Sequence, residues 1–190
     1  MSRRLRWIDT EARLPFHARV VKNVLLLFCL ALAGCATTQP RPYQVVNPKP
    51  PPIALDRAFQ FRKIEEYFLD PVPPRLTTQT NAAVAFERNY RLFGAITSLD
   101  QHMLYGTYFD FYWRATRDTD VRLRLEYRQE KLHALVQARE VRYAHARGHH
   151  HTEVAIIGDD FFDDGRVIAW RASLIVGGRI VALSRSYLWE

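Results

Sequence analysis

The chain has 190 residues and a formal net charge of +7, but much of that charge lies in the first 34 residues. The 156 residues that follow carry 21 basic and 18 acidic side chains, a mild excess that gives no basis for a nucleic-acid-binding function. Their number is sufficient for one domain with its own hydrophobic core and a linker.

The first predicted element is an apolar run from Val24 to Gly34, followed directly by Cys35. Its 11 residues are too few to cross a bilayer, which takes about 20. They match the apolar region of a secretory signal peptide. A buried core helix with a chance cysteine is the alternative, but the proline-rich stretch that comes next cannot pack as a core.

The end of this run, Leu32-Ala33-Gly34-Cys35, closely resembles the lipobox of bacterial lipoproteins. The resemblance implies that a signal peptidase recognises Leu32, Ala33 and Gly34 and removes residues 1–34. It also implies a diacylglycerol on the sulfur of Cys35 and an acyl chain, such as palmitate, on the new amine. Each buried methylene adds about 0.8 kcal/mol, so two or three chains make a stable anchor. No other cofactor is predicted.

The same resemblance bears on location. Lipoproteins of Gram-negative bacteria that stay at the inner membrane tend to have Asp after the cysteine, whereas this chain has Ala36. The resemblance therefore implies an outer-membrane protein, on either the periplasmic or the surface side.

Residues 1–23 are longer than the usual positively charged leader, so an alternative is that translation starts at Val20 or Val21. In either case we expect residues 1–34 to be absent from the mature protein. One of the two cysteines of the chain leaves with them and the other carries the lipid. This predicts a mature domain without a disulfide or a catalytic thiol, stabilised by its hydrophobic core.

Residues 35–52 are predicted to be the lipidated cysteine and a proline-rich linker. Proline-rich segments favour extended geometry and act as semi-rigid spacers of about 3 Å per residue. We expect this spacer to hold the domain away from the lipid. Pro48 and Pro51 have the Pro-x-x-Pro spacing of segments that dock into aromatic grooves, which is the alternative.

Residues 53–80 are predicted to form a short helix and a connection. In residues 53–69, apolar side chains recur at spacings of three and four, which favours an amphipathic helix. Asp56 is a suitable cap for its start, and Pro71 marks its end because the residue before a proline is disfavoured in a helix. We expect this helix to pack on the sheet that follows; a membrane-surface or partner helix is the alternative.

Residues 81–190 are predicted to form the β domain, because the apolar pattern changes to period two. The strand candidates are 105–115, 120–128, 132–143, 152–157, 166–176 and 179–189, with 84–96 as a weaker candidate that could form a helix. Gly177-Gly178 predicts a hairpin turn, and short connections require antiparallel pairing. We therefore predict a mainly β fold: an antiparallel two-sheet sandwich of immunoglobulin-like size after one short helix, or else a half-open barrel.

An acidic loop is predicted between two strands, at residues 158–165. It contains four candidate calcium ligands: Asp159, Asp160, Asp163 and Asp164. Their spacing is not that of an EF-hand, and a solvated turn in which Gly165 takes a positive φ is the simpler interpretation. Of the two loop phenylalanines, Phe161 and Phe162, we expect at least one to fold onto the core and the other to be a candidate partner contact.

A run of three histidines includes two candidate metal ligands, His149 and His151. Adjacent strand residues point to opposite faces, so the three imidazoles cannot easily converge. Closing a metal site would need His145 or His133 from a neighbouring strand. A polar hairpin connection is the alternative that the spacing favours.

An arginine face is predicted on the strand 120–128. Its members Arg122, Arg124 and Arg128 alternate with apolar residues and are expected to point to water. Arginine suits bidentate binding of phosphate or carboxylate, so these are candidate contacts for an acidic partner such as lipopolysaccharide. Cross-strand pairing with Glu126, Glu140 and Glu153 is the alternative.

No catalytic motif stands out: the sequence has no nucleophile elbow, no zinc-protease motif and no phosphate loop. We therefore predict a non-catalytic envelope domain that binds another protein or has a structural role. A glycan-binding module is the alternative, supported by candidate outward-facing rings: Tyr105, Tyr108, Tyr112 and Tyr187. A hydrolase is the last alternative and would require a pocket with two close carboxylates.

Overall fold

The computed structural model describes residues 40–46, 48–72 and 82–189. The predicted signal peptide, its recognition residues Leu32, Ala33 and Gly34, and the predicted lipidation site Cys35 lie outside these ranges. The described residues belong to one unit, Pro40–Glu190.

The described part of the chain contains six strands and three short helices. In chain order they are β1 Tyr43–Val45, β2 Phe59–Leu69, α1 Ala82–Arg91, α2 Ser98–His102, β3 Gly106–Gln129, β4 Gln137–Ile157, α3 Asp159–Asp164, β5 Val167–Val176 and β6 Arg179–Arg185. A 3-10 turn at Glu130–Leu132 joins β3 to β4.

All six strands belong to one antiparallel sheet, which confirms the predicted mainly β fold. The order is β1-β4-β3-β5-β6, and β2 also pairs with β3. The first half of β3 lies between β2 and β4, whereas its second half lies between β4 and β5. The sheet is not closed, because β1 and β6 stand at its two ends.

The long β3–β4 ribbon is bent in its middle. Its register shifts between Ala115 and Val121, and such irregularities bend a ribbon and increase its twist. The side-chain nitrogen of Gln129, at the end of β3, donates to the carbonyl oxygens of Asp160 and Gly165 at 2.7 and 2.8 Å, just beyond the end of β4. The two ends of the ribbon therefore meet.

The core fills the space between the two halves. From the first half come the inward residues of β3, which include Phe109, Phe111 and Trp113, as their alternation predicted. The second half contributes Val121, Leu123, Leu125 and Tyr127, also as predicted, and all four are fully buried. The ring of Trp170 on β5 meets Phe109 edge-on, with 5.7 Å between ring centroids. The core is therefore shared by both halves.

The predicted helix at 53–69 is wrong: residues Phe59–Leu69 form strand β2. The register on β3 shifts between Phe61 and Lys63, so the inward positions run Phe59, Phe61 and then Ile64. This bulge places apolar residues two and then three apart, and the mixed spacing imitates the period of a helix. The weaker candidate strand at 84–96 is instead the helix α1 and the turn after it.

The predicted spacer is also wrong from Pro40 onward, because this segment is bound to the domain. β1 pairs with β4 at one end of the sheet. Further along, the carbonyl of Lys49 accepts a hydrogen bond from Arg124 of β3 at 2.9 Å. Pro52 accepts one from the amide of Ile180 on β6 at 2.9 Å. Residues 43–46 and 48–54, which we call the strap, therefore lie along the outer face of the second half, from β4 at one side to β6 at the other.

Candidate functional site

A row of polar side chains lies on the outer face of the first half of the sheet, beneath α1. The register places Glu65 of β2 opposite Asp110 of β3, and Asp110 opposite Glu153 of β4. Opposed residues of antiparallel strands share a face, so these three carboxylates line one surface. Together with α1 they enclose a cleft of about 370 Å³, the acidic cleft, lined by Glu65, Glu66, Tyr67, Glu87, Tyr90, Arg91, Asp110, Tyr112, His151 and Glu153.

Arg91, the last residue of α1, is the centre of this cleft, with a side chain only 7% exposed. Its Nε lies 2.7 Å from Glu87 Oε1, its Nη2 3.0 Å from Asp110 Oδ2 and its Nη1 3.1 Å from Glu153 Oε2. The guanidinium also lies 4.0 Å from the ring centroid of Tyr108. Burial alone would lower the pKa of Arg91, but Glu87 and Glu153 outweigh burial and raise it. The cation therefore ties α1 to the sheet.

An aspartate–histidine pair lies on the other side of the cleft. Oδ1 of Asp110 is 2.6 Å from Nε2 of His151, and the ring of Tyr112 stacks on the imidazole at 4.6 Å. Asp110 thus connects Arg91 to His151 through its two oxygens. The arrangement orients the imidazole, whose side chain is 45% exposed, toward any molecule that enters the cleft.

Tyr108 supports the floor of the site. Burial raises the pKa of Tyr108 to about 12, so its phenol is neutral at physiological pH. The hydroxyl donates to the carbonyl oxygen of Leu104 at 2.6 Å. The ring is therefore fixed beneath Arg91 and not available as an outward-facing contact.

The segment from α1 to Met103 turns apolar side chains to solvent. Phe86, Tyr90 and Phe93 follow the i, i+4, i+7 spacing of one helix face, and Phe93 is 89% exposed. We call the exposed set the apolar stripe: Val84, Phe86, Tyr90, Phe93, Ile96, Leu99 and Met103. An ordinary surface helix buries this face, whereas α1 meets the sheet through the charged Arg91.

The stripe and the acidic cleft are continuous. A second cleft of about 340 Å³ is lined by Tyr90, Arg91, Phe93, Leu104, Tyr108 and Glu153. Tyr90, Arg91 and Glu153 line both clefts. A ligand could therefore contact charged and apolar groups side by side.

The predicted acidic loop is the short helix α3, and its aspartates do not converge. Asp159 faces His102, with 3.4 Å between Oδ1 and Nε2, Asp160 pairs with Arg139, and Asp164 accepts from Gln137 Nε2 at 3.0 Å. Asp163 is exposed. Within the described ranges, no group of three or more His, Cys, Asp or Glu side chains could hold a metal ion. Gly165 does have the expected positive φ, of 86°.

The two phenylalanines of α3 contact the chain itself. Phe161 meets the ring of Phe68 edge-on at 5.5 Å, and Phe162 stacks on His102 at 3.9 Å. Both are half-buried. They join α3 to β2 and α2, and the partner contact predicted at Phe161 or Phe162 stays a prediction.

The histidine run is part of β4 and not a hairpin connection. His149 and His151 point outward, and His151 is paired with Asp110. His150 points inward and stacks on Trp113 at 4.3 Å. Burial lowers the pKa of His150, and its Nε2 has no hydrogen-bond partner. The three imidazoles therefore do not form one ligand set.

The predicted arginine face is largely covered. Arg124 is only 6% exposed, its Nε lies 2.6 Å from Glu140 Oε1, and the strap lies over it. Arg128 lies 5.0 Å from the ring centroid of Trp189. Arg122, 3.6 Å from Glu140 Oε2, is half-buried. Burial alone would raise the pKa of Glu140, but Tyr43 and Arg124 lower it below its ordinary value. Cross-strand pairing thus describes this face better than an anion site.

Sequence reasoning missed the residues that form the acidic cleft. Arg91, Glu87, Asp110 and Glu153 belong to three elements far apart in the chain. The Glu87–Arg91 spacing of four residues was the available signal, because such pairs form on helices. This signal applies only if residues 84–96 form a helix, which was the alternative to the strand predicted there.

Comparison of the chain with protein-family models, with curated proteins and with solved structures finds no match. In the described ranges no helix has the length and apolar character needed to cross a membrane.

Proposed function

We propose that the chain is a bacterial envelope lipoprotein whose β domain binds another envelope protein through the apolar stripe. An acylated Cys35 would attach it to the outer membrane. We assign no reaction to it, because Asp110 and Glu153, the two close carboxylates that a hydrolase would need, are both paired with Arg91 at 3.0 and 3.1 Å.

The observation that supports the binding role is the orientation of α1. The helix turns Arg91 toward the sheet, and the apolar side chains of Phe86, Tyr90 and Phe93, in and just after the helix, are exposed to solvent.

The seven exposed apolar side chains of the stripe are unusual on a protein surface. Contiguous apolar patches on monomeric proteins are seldom large unless they bind something. Residues 73–81, which precede α1, contain one large aliphatic side chain, Leu76, and are otherwise proline, polar or basic. Their composition does not supply a cover for the stripe, which supports a partner from outside the chain.

The attachment to the sheet supports a rigid recognition surface. Arg91 contacts three carboxylates and the ring of Tyr108, and this fixes α1 in rotation about its axis. A helix held in this way presents its apolar side chains in one orientation, and preorganisation of this kind lowers the entropy cost of binding.

The short chain before the domain supports a position close to the membrane. The strap is part of the domain, so only the chain length from Cys35 to Pro40 separates the predicted lipid site from the described domain. Five residues of extended chain span at most about 18 Å. We also propose that the bent sheet is a variant of the two-sheet sandwich, since its halves bury a common core.

A second candidate is glycan binding, favoured by the tyrosines of the acidic cleft. Tyr67 and Tyr112 line it beside Asp110 and His151, a combination of ring faces and hydrogen-bonding groups that suits a sugar. Tyr112→Ala should then abolish retention on immobilised envelope polysaccharide. Unchanged retention in this variant, beside a Tyr187→Ala control at a 99% exposed position, would rule out the cleft as the glycan site.

Two measurements test the main proposal. Intact mass and membrane fractionation of the wild type and of Cys35→Ala test the anchor: acylation at Cys35 and loss of membrane association in the variant are expected. A soluble wild type that keeps residues 1–34 would refute the anchor.

A photo-crosslinking residue at Phe93 tests the binding surface, with Tyr187 as the control position. We expect a defined protein adduct from position 93 that position 187 does not give, and that Phe86→Ser weakens. The binding role fails if both positions give the same adducts, or if position 93 gives none.

A further inference from the structure

The acidic cleft has more negative than positive charge. Glu65 is paired with Lys63, with 2.7 Å between Nζ and Oε1. The other ion pairs join Arg91 to Glu87, Asp110 and Glu153, and the imidazole of His151, counted as neutral here, lies 2.6 Å from Asp110. Three carboxylates around one guanidinium leave a formal surplus of two negative charges in a partly buried place. Such a surplus favours the entry of a cation.

The cleft also has free capacity to bind a cation. Glu153 has a side chain that is 49% exposed, and its contact with Arg91 occupies one oxygen at 3.1 Å. An ionised carboxylate can accept about four hydrogen bonds, so acceptor positions are left over. The rings of Tyr67, Tyr90 and Tyr112 line the same space. Ring faces attract ammonium and guanidinium groups.

We propose that the acidic cleft receives an arginine or lysine side chain of the protein partner, while apolar neighbours of that side chain cover the stripe. This inference rests on the proposed function, since it names the chemistry of the same partner. Tyr90, Arg91 and Glu153 line both the acidic cleft and the second cleft of about 340 Å³, so a cation can enter the first while an adjacent apolar side chain enters the second.

Charge decides between a protein segment and a lipid surface as the occupant. A phospholipid surface would bring phosphate groups to a cleft with surplus negative charge, which is unfavourable. A basic and apolar peptide matches both parts of the surface. The mature chain as a whole is positive, with 21 basic against 18 acidic side chains, so general attraction would favour an acidic peptide instead. A preference for the basic peptide would therefore show that the acidic cleft, and not the net charge of the chain, selects the peptide.

The experiment compares two capped peptides, Ac-Leu-Arg-Phe-Leu-NH2 and Ac-Leu-Glu-Phe-Leu-NH2, by NMR titration of the full acylated chain in detergent micelles. We expect the arginine peptide to bind at least about tenfold more tightly, with a preference that salt reduces. Glu153→Gln should remove most of this preference, because the amide retains an acceptor for Arg91 but loses the charge. Asp163→Asn, the same charge change at an exposed site, should leave it intact.

The outcomes separate this inference from the proposed function. Equal affinity for both peptides, with binding lost in Phe93→Ser, would leave the docking surface standing and overturn the cationic partner. No binding of either peptide also overturns the cationic partner, and the crosslinking at Phe93 then decides the proposed function by itself. Binding of Cys35→Ala to phosphatidylglycerol vesicles through Phe93 would overturn the inference in favour of a lipid surface. Near-UV circular dichroism establishes that each variant is folded.

Discussion

At the scale of single residues, three charged side chains of the described domain are buried together. Arg124, Glu126 and Glu140 are each no more than 6% exposed, and the strap covers them. Their strand alternates cleanly, and alternation alone places them on the outer face. It cannot show that another segment of the chain lies over that face. Burial of this kind makes each ion pair sensitive to the loss of one partner.

Arg124→Met should therefore destabilise the domain strongly. The substitution leaves Glu140 buried without its 2.6 Å partner and should lower the free energy of unfolding by about 3–5 kcal/mol. Arg122→Met is the matched control, because that arginine faces the same carboxylate at 3.6 Å but is 37% exposed; it should cost about 1 kcal/mol or less. Urea unfolding measures both. Equal losses of unfolding free energy in the two variants would mean that the strap does not bury the ion pair between Arg124 and Glu140.

His150 should make stability depend on pH. Burial lowers the pKa of His150 below its ordinary value of 6.5, so the unfolded state binds more protons between the folded pKa and 6.5. The contribution of His150 to the free energy of unfolding is then fully present above pH 6.5 and is lost as the pH drops through that window.

His150→Phe keeps a ring against Trp113 and should flatten this part of the profile, whereas His149→Phe, at an exposed position, should not. Urea unfolding at a series of pH values checks it. If the unfolding free energy of the wild type and of His150→Phe changed with pH in parallel, the pH dependence could not be assigned to His150.

At the scale of elements, the sequence predicted strands best where both faces were regular. The strands with unbroken alternation, such as residues 121–127, were found with their inward faces right. β2 was missed because its bulge between Phe61 and Lys63 breaks the period. The acidic cleft could not be predicted, because it needs the register that brings Asp110 opposite Glu153 and the helix that carries Arg91. Neither is a property of local sequence.

The start of β3 depends on a glycine at a crowded position. Gly106 has φ of 141°, and a Cβ there would lie 2.2 Å from the carbonyl oxygen of Ile156 on β4. Gly106→Ala should therefore push β3 from β4 and cost about 3 kcal/mol or more. Gly94→Ala is the control, because φ is 85° there but nothing lies within 4 Å; backbone strain alone should cost about 1 kcal/mol. Thermal unfolding of both variants that gives equal midpoints would show that β4 does not constrain Gly106.

At the scale of the whole molecule, one bent ribbon produces two surfaces with different roles. The bend between Ala115 and Val121 makes the halves of the sheet close on a common core. The outer face of the second half is covered by the strap, which passes over Arg124. The outer face of the first half is instead covered by α1, which leaves a cleft and an apolar stripe. Of these two outer faces, the face beneath α1 retains an open cleft beside exposed apolar side chains, and it is there that we propose the partner binds.

The strap gives the sharpest test of this architecture. A chain that begins at Pro40 should have the same unfolding free energy as the mature protein. A chain that begins at Asp56 lacks β1, the hydrogen bond between Lys49 and Arg124, and the hydrogen bonds that Pro52 and Ala54 make with β6. We expect the shorter chain to lose about 3 kcal/mol or more of unfolding free energy, because the truncation uncovers paired charges and removes backbone partners.

Urea unfolding of the two chains, each without the lipid, makes the comparison. Of the two roles considered for this segment, a spacer and a strap, only the spacer allows residues 40–55 to be removed without cost. Equal stability of the two chains would therefore return the segment to the role of a linker. As a linker, the segment would allow the anchored domain to lie farther from the membrane than the roughly 18 Å that five residues span.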